Sequence, residues 1–359
     1  MKKKVFFVLS SLRAGGAERV FWLLTQYFDR NTYDVTLVLL DMKQPFFSTD
    51  LPGIRIVDLK SIRSSRSFWK LFRLVRKEKP HVIYSTAPQI NILVAFIGLF
   101  NRSVILIGRE YCILDELQQY ITWKGRLLSS MVSLLYRKFN FIVCQSEEMR
   151  LSLMNKYMLD ASKLVVIPNP IIPTAVLNHS VSAKDRKKLI AVGRLAKEKG
   201  YDRLLQILKL LPEEYELTIA GNGPLRNQLL SLTRELNLSD RVNFVGQVHH
   251  VTKLIAGHDL LVLGSYTEGF PNVVVEALSV GTPVVTFRVG GVSQVVSNDF
   301  NGYIVPQNEL EQFRDSVIRA CERKWDASIL QKDAIARFGI HEVTGKYAEL
   351  IHRSYQPAI

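Results

Sequence analysis

Two glutamates with a helix start between them are the first residues able to do chemistry. In Ser265-Tyr266-Thr267-Glu268-Gly269-Phe270-Pro271-Asn272-Val273-Val274-Val275-Glu276-Ala277-Leu278, Glu268 lies in the loop before the helix and Glu276 about one and a half turns inside it. Pro271 suits the first helical turn, where its missing N–H costs nothing. Gly269, Phe270, Asn272 and Val273 then offer free backbone N–H groups and a positive dipole end to a phosphate. A chance pair of surface carboxylates is the competing reading. Against it, Glu276 is flanked by Val273, Val274, Val275, Ala277 and Leu278, where a carboxylate is rarely decoration.

Three further clusters stand where strands end. In Val192-Gly193-Arg194-Leu195 and Lys197-Glu198-Lys199-Gly200, Arg194 is a bidentate fork and Lys199 a point charge suited to clamping a diphosphate. Solvated surface charge is the alternative. Leu9 to Arg19 runs through Gly15-Gly16 into a helix, exposing amides, although it is not the GxGxxG of dinucleotide sites and a tight turn also explains the glycines. Ala220-Gly221-Asn222-Gly223-Pro224-Leu225 reads as strand, turn and helix start.

The elements that must position these residues alternate. Short apolar strands are expected at Lys4–Leu9, Asp34–Leu40, Ile54–Leu59, His81–Ser85, Ser103–Gly108, Phe141–Gln145 and Lys163–Ile167, with helices including Ala17–Phe28 and Glu147–Tyr157. Strands resume at Leu189–Val192, Glu216–Ala220, Val242–Val245, Leu260–Leu263, Val284–Phe287 and Tyr303–Val305, with helices at Tyr201–Leu210, Leu225–Leu236, Asn272–Val280 and Glu309–Arg323. Such alternation means βαβ units and parallel sheets covered on both faces. Pro168-Asn169-Pro170-Ile171-Ile172-Pro173 interrupts it. The expectation is an α/β protein of two doubly wound Rossmann-like domains facing a cleft. The divisions are an N-terminal domain 1–170, a linker 171–187, a C-terminal domain 188–340 and a tail 341–359. Ligands of such sheets bind at the carboxyl ends of the strands, which makes the cleft the default site.

Composition narrows the class. At 359 residues, 47% hydrophobic and 22% charged, the chain is of ordinary globular type. Cys112, Cys144 and Cys321 lie far apart with no CxxC or His/Cys cluster, which argues for a reducing compartment and against structural zinc. No signal-peptide pattern is met, and the longest apolar run, Ile92–Phe100, falls well short of the ~20 residues of a membrane span, so a soluble chain is expected. The net charge of +14 is uneven: residues 1–170 hold 25 Lys/Arg against 13 Asp/Glu, a net +12, and residues 171–359 hold 22 against 20, a net +2. Nucleic acid, anionic lipid and phosphorylated substrates are all partners such an excess suits. Its densest part, Arg63–Lys79, reads as a helix with Phe68, Leu71, Phe72 and Val75 on one face and Arg66, Lys70, Arg73 and Lys77 on the other. That is either a surface helix packed on its own domain or one whose basic face meets anionic headgroups. Residues 121–138 are a second basic, apolar stretch with the same two readings.

Glu268 and Glu276 with seven residues between them resemble the EX7E signature of retaining GT-B glycosyltransferases, closest to the GT4 family, glycosyl transferases group 1. Gly15-Gly16-Ala17-Glu18-Arg19, Val192-Gly193-Arg194-Leu195, Lys199-Gly200 and Gly221-Asn222-Gly223-Pro224 follow in that family's order, so the resemblance covers nearly the whole chain. It implies that Arg194 and Lys199 hold the donor diphosphate and stabilise the leaving group. Glu276 would bind the ribose hydroxyls and Glu268 the donor sugar. Gly193 and the backbone of Gly269, Phe270, Pro271, Asn272 and Val273 would complete the donor site. Gly15 and Gly16 would let the N-terminal loop approach phosphates and acceptor, and Val343–Tyr355 is a candidate helix crossing back to the first domain.

Gly108-Arg109-Glu110-Tyr111 stands where many relatives carry a His, which leaves Arg109 and Glu110 as acceptor or donor contacts. No Asp-x-Asp occurs, so no metal or other cofactor is expected, and cations with a helix terminus would stabilise the leaving group. The implied reaction moves a hexose or N-acetylhexosamine from a nucleotide diphosphate sugar, UDP favoured, to a saccharide acceptor. That acceptor is expected to be polyprenyl-diphosphate-linked, at the inner face of the cytoplasmic membrane. The alternatives are a GT-B nucleotide-sugar epimerase or sugar phosphorylase, and a basic nucleic-acid-binding protein, for which no RRM, KH or helix-turn-helix pattern is present.

Overall fold

The computed structural model describes residues 2–13, 15–61, 64–101, 103–110, 133–175, 177–178 and 186–355. Ala14, Arg63, Tyr111, Cys112 and residues 121–132 of the second basic stretch lie outside them. The chain forms two units, Met1–Pro170 with Ile340–Ile359, and Ile171–Gly339.

The first unit is built on β1 (Lys3–Leu9), β2 (Tyr33–Leu39), β3 (Arg55–Asp58), β4 (Val82–Thr86), β5 (Ile105–Arg109), β6 (Phe141–Cys144) and β7 (Leu164–Val166). They form one parallel sheet in the order β3-β2-β1-β4-β5-β6-β7. Strand β1 shows why this segment is a strand buried on both faces: Val5, Phe7 and Leu9 enter one core, and Phe6 and Val8 the other. That period of two puts an apolar side chain into each layer at every step. Helices α1 (Gly16–Tyr27), α2 (Ser64–Glu78), α3 (Pro88–Phe100) and α4 (Glu147–Tyr157) cover the sheet. Helix α2 buries Ser67, Leu71 and Val75 and leaves Arg66, Lys70, Arg73 and Lys77 exposed.

The second unit contains β8 (Lys187–Val192), β9 (Tyr215–Ala220), β10 (Val242–Gly246), β11 (Leu260–Leu263), β12 (Val284–Phe287) and β13 (Gly302–Val305), also all parallel, in the order β10-β9-β8-β11-β12-β13. Its helices are α5 (Tyr201–Leu210), α6 (Arg226–Glu235), α7 (Val251–Ile255), α8 (Asn272–Leu278), α9 (Leu310–Glu322) and α10 (Ala327–Phe338). Helix α10 is not among the expected helices. It buries only Leu330, Ala334 and Phe338, a stripe too narrow to stand out in a polar stretch. Ile171 donates its amide to Phe338 O at 2.8 Å and bridges Gly339, so the points where the chain enters and leaves this unit are adjacent.

The last helix, α11 (Ile340–Arg353), belongs to the first unit, where Ile340, Val343, Tyr347, Leu350 and Ile351 are buried in the same core as Val20, Phe21 and Leu24 of α1. Tyr84 Oη of β4 donates to Tyr347 O at 2.6 Å. Each sheet reverses its strand order at its first strand, between β1 and β4 and between β8 and β11, and that reversal opens a crevice at the carboxyl ends of the strands.

Candidate active site

In the second unit the loops after β8 and β11 flank the reversal of strand order. The first carries Gly193, Arg194 and a 3-10 turn, Lys197–Lys199; the second carries Ser265 to Pro271. One glycine lets these loops touch. Gly200 adopts φ +58°, and a Cβ there would lie 2.0 Å from Gly264 O, so a side chain is excluded both by backbone conformation and by space. The neighbouring loop after β9 is held similarly, because a Cβ on Gly221 would meet Gly193 O at 1.9 Å.

This closeness brings Lys199 onto Glu268. The Lys199 ammonium donates to both carboxylate oxygens, at 2.7 and 2.9 Å, and Ser265 Oγ donates to Oε1 at 2.6 Å. The two side chains are 26% and 11% exposed, so the pair is shielded without being sealed from an incoming ligand. Arg194 Nη2 donates to Glu198 Oε1 at 2.5 Å, but its side chain is 67% exposed. Tyr266 N donates to Glu198 O at 2.9 Å, tying the two loops together again.

Glu276 is buried in α8 among Val274, Val275, Ala277 and Leu278. The helix starts at Asn272, where it was expected, but Pro271 is its N-cap and not part of its first turn. Asn272 N donates to Phe270 O at 3.0 Å, so that amide, expected free, is already satisfied. The Phe270 ring packs on Phe338 at 6.2 Å between centroids, which leaves its backbone as the part that can face a ligand.

Arg203 of α5 is a residue the sequence reading missed. Its guanidinium is buried, donating from Nε to Gly264 O at 2.5 Å, from Nη2 to Ser265 O and from Nη1 to Gln307 Oε1 at 2.8 Å. It lies 3.8 Å from the centre of the Phe287 ring and 4.0 Å from that of Tyr266. Burial pushes its pKa down to about 10, leaving it charged at neutral pH. Arg203 therefore holds the loop that bears Glu268. The available signal was an arginine within the apolar pattern of Leu204, Leu205, Ile207 and Leu208.

In the first unit, Gly15 caps α1 and Gly16 opens it beside the end of β1. The Glu18 carboxylate folds back over this end, 2.2 Å from where a Gly15 Cβ would stand, and accepts from Ser10 Oγ at 3.4 Å. The helix terminus thus already faces a carboxylate of its own first turn, a favourable placement against the dipole.

Arg109 and Glu110 are both buried, and their partners are side chains of the same unit. Arg109 donates to Asn169 Oδ1 and, at 3.4 Å, to Thr86 Oγ1. Glu110 Oε1 accepts from Tyr136 Oη and, at 2.7 Å, from Asn91 Nδ2, which Ser85 holds in turn. Burial pushes the Glu110 carboxyl up to about 7. Among the described residues, Glu110 Oε2 and Arg109 Nε are buried with no hydrogen-bond partner. Only partners distant in sequence define this network, so local spacing gave no sign of it.

Residues 14–174 match the family model described as Glycosyltransferase Family 4, and residues 176–337 match that of Glycosyl transferases group 1. The chain is 27% identical over 331 residues to the N-acetylgalactosamine-N,N'-diacetylbacillosaminyl-diphospho-undecaprenol 4-alpha-N-acetylgalactosaminyltransferase of Campylobacter jejuni, covering 87% of this chain and 88% of that one. It is 23% identical over 292 residues to the UDP-Gal:alpha-D-GlcNAc-diphosphoundecaprenol alpha-1,3-galactosyltransferase of Escherichia coli, covering 74% and 73%. Among solved structures, Anabaena HepE in complex with UDP-glucose superposes with a TM-score of 0.81 at 20% identity, over 98% of this chain and 99% of that one.

Proposed function

The chain belongs to the glycosyl transferases group 1 family and has the GT-B fold, and from that premise we propose that it is a retaining glycosyltransferase using a UDP-sugar and a lipid-linked saccharide. The observation that carries the donor half is the Lys199–Glu268 pair at the strand-order reversal of the second sheet.

In this reading Arg194 and Lys199 hold the donor diphosphate. As the glycosidic bond breaks toward an oxocarbenium-like state, negative charge grows on the leaving oxygen. Cations already oriented by Glu198 and Glu268 meet it with little reorganisation. Glu268 contacts the donor sugar, with Ser265 fixing its carboxylate. Glu276 takes the ribose hydroxyls, an acceptor role that suits a carboxylate in an apolar helix. Gly193 and the backbone from Gly269 to Val273 line the donor. In the first unit, Gly15 and Gly16 would serve the phosphates and acceptor, and Arg109 and Glu110 would be acceptor or donor contacts. No metal is required, because these cations supply the charge.

The acceptor is proposed to be a saccharide on a polyprenyl diphosphate, in keeping with the printed activities of the Campylobacter and Escherichia relatives. Among the described residues no helix is long and apolar enough to cross a membrane. The exposed basic face of α2 is proposed to bring the protein to the inner surface of the cytoplasmic membrane.

Incubation with UDP-hexoses and UDP-N-acetylhexosamines, plus a prenyl-diphosphate-linked saccharide, tests this directly. One donor should yield a product whose new linkage keeps the donor's α configuration by NMR, with EDTA present. An inverted linkage would overturn the retaining mechanism, and isomerised donor without transfer would overturn the whole reading.

A further inference from the structure

Each of the two cations proposed for the donor diphosphate has a carboxylate of the chain's own. Arg194 pairs with Glu198 at 2.5 Å and Lys199 with Glu268 at 2.7 Å, so two positive charges stand against two negative ones. A diphosphate must compete with both carboxylates, and bare cations would hold it more tightly.

The two carboxylates differ in what else they do. Glu268 also accepts from Ser265 Oγ, its side chain is 11% exposed, and the proposed function gives it the donor sugar. Glu198 has no second task that needs its charge. The bond that fastens the neighbouring loop to it, from Tyr266 N at 2.9 Å, ends on its backbone carbonyl, and any side chain at 198 leaves that bond intact. Its 3-10 turn, Lys197–Lys199, also closes through backbone groups, with Gly200 N donating to Lys197 O at 3.2 Å. The Glu198 side chain is 36% exposed and that of Arg194 67%. A pair this open breaks and re-forms at little cost. Partial burial raises the Glu198 pKa. Hydrogen bonds from its own backbone and from Arg194, with the charges of Arg194 and Lys199, outweigh that and hold it below the ordinary 4.5. The carboxylate is therefore ionised at neutral pH.

Transfer changes what these cations hold. In the reaction proposed above, the bond from the anomeric carbon to the β-phosphate oxygen breaks, and its electron pair stays on the phosphate. The acceptor oxygen bonds that carbon and gives up its proton. The nucleoside diphosphate thus leaves with one more negative charge than it carried in the donor. Cations that stabilise this charge as it develops hold the product more tightly than the substrate. Turnover then needs a group that loosens the product, because release and not chemistry limits many such reactions.

We infer that Glu198 is that group: it takes Arg194 back from the departing nucleoside diphosphate and so sets the rate of product release. This rests on the donor-site reading proposed above. Glu198 Oε1 already accepts from Nη2 of a guanidinium whose five N–H groups can bond phosphate and carboxylate in turn. Arg194 is then exchanged between two anions, and the product does not have to leave a bare cation behind.

The test uses Glu198→Gln, which keeps the shape and an acceptor oxygen and removes the charge. Calorimetric titration should show UDP binding tightened about five- to tenfold, the scale of one like charge removed beside a partly exposed site. UDP should inhibit transfer at correspondingly lower concentration. In rapid-quench experiments the first turnover should match wild type while steady-state kcat falls, so that product appears in a burst. A role confined to holding Arg194 in place predicts the opposite sign, with UDP binding weakened and the first turnover slowed. Glu235→Gln removes the same charge from the exposed last residue of α6 and should leave UDP affinity within about twofold of wild type. Three results overturn the inference: equal or weaker UDP binding in Glu198→Gln, a first turnover slowed along with the steady state, or equal tightening in Glu235→Gln. Wild type that binds no UDP overturns the donor-site reading, and the inference with it.

Discussion

At the scale of single residues, Lys199 does two jobs whose consequences differ. As the partner of Glu268 it keeps a mostly buried carboxylate compensated, and in the proposed function it is the cation that meets the donor diphosphate. Lys199→Ala should lower kcat for transfer by about 10²–10³-fold, the range seen when one preorganised charge-stabilising donor is removed. Steady-state kinetics on matched donor concentrations check this, and a change only in KM would argue against leaving-group stabilisation. Glu110 gives a prediction of a different kind. Its folded pKa of about 7 lies above the ordinary 4.5, so the folded state binds the proton more tightly. The stability this contributes is fully present below about 4.5 and is lost as the pH rises through 7. The span corresponds to something on the order of 3 kcal/mol. Between pH 5 and 8, wild type should lose stability that Glu110→Gln does not lose, as read by urea denaturation. Parallel curves for the two proteins would contradict the assignment.

At the scale of elements, the proposed donor site depends on loops held together through Gly200 and Arg203. Gly200→Ala combines a positive φ with a backbone clash on Gly264, and should destabilise the protein by about 2 kcal/mol or more. Arg203→Ala removes the fastening of Gly264 and Ser265. It should weaken UDP binding by about tenfold through loop disorder, while Arg203→Lys, retaining a charge but not the planar fork, restores part of it. Calorimetry with UDP reads both variants, and undiminished affinity in Arg203→Ala would show that the loop stands without it. Element identity was legible where the pattern was strong. All thirteen strands sit within two residues of their expected positions, because strands buried on both faces must read as apolar runs, as Val5–Leu9 does. Boundaries were less legible: Pro271 was expected in the first turn, and its non-helical ψ of 86° makes it the N-cap instead. Sites made by contact across the sequence left no local trace. The Lys199–Glu268 pair spans 69 positions and was approached only through family resemblance, and the link from Tyr136 to Glu110 was not read at all.

At the scale of the whole molecule, the chain makes two parallel sheets, alike in order over six strands with a seventh on the first, then returns its last helix to the first of them. Five side chains of α11 are buried in the first unit's core. At ~1.5–3 kcal/mol for each fully buried apolar side chain, their sum rivals the ~5–15 kcal/mol by which a protein is stable. A chain ending at Gly339 should therefore fail to fold its first unit, with loss of its near-UV circular dichroism. The distribution of charge follows the same division. The nearly neutral second unit holds Arg194 and Lys199 in ion pairs with Glu198 and Glu268. The claim on which the rest depends is that the second unit holds a nucleotide through Glu276 without metal. Calorimetric titration of UDP into wild type and Glu276→Ala, with EDTA present, measures it directly. The account predicts saturable binding by wild type that weakens at least about tenfold in the variant, as expected for losing charge-assisted hydrogen bonds to ribose. Binding that requires a divalent cation, or equal affinity in the two proteins, would contradict it.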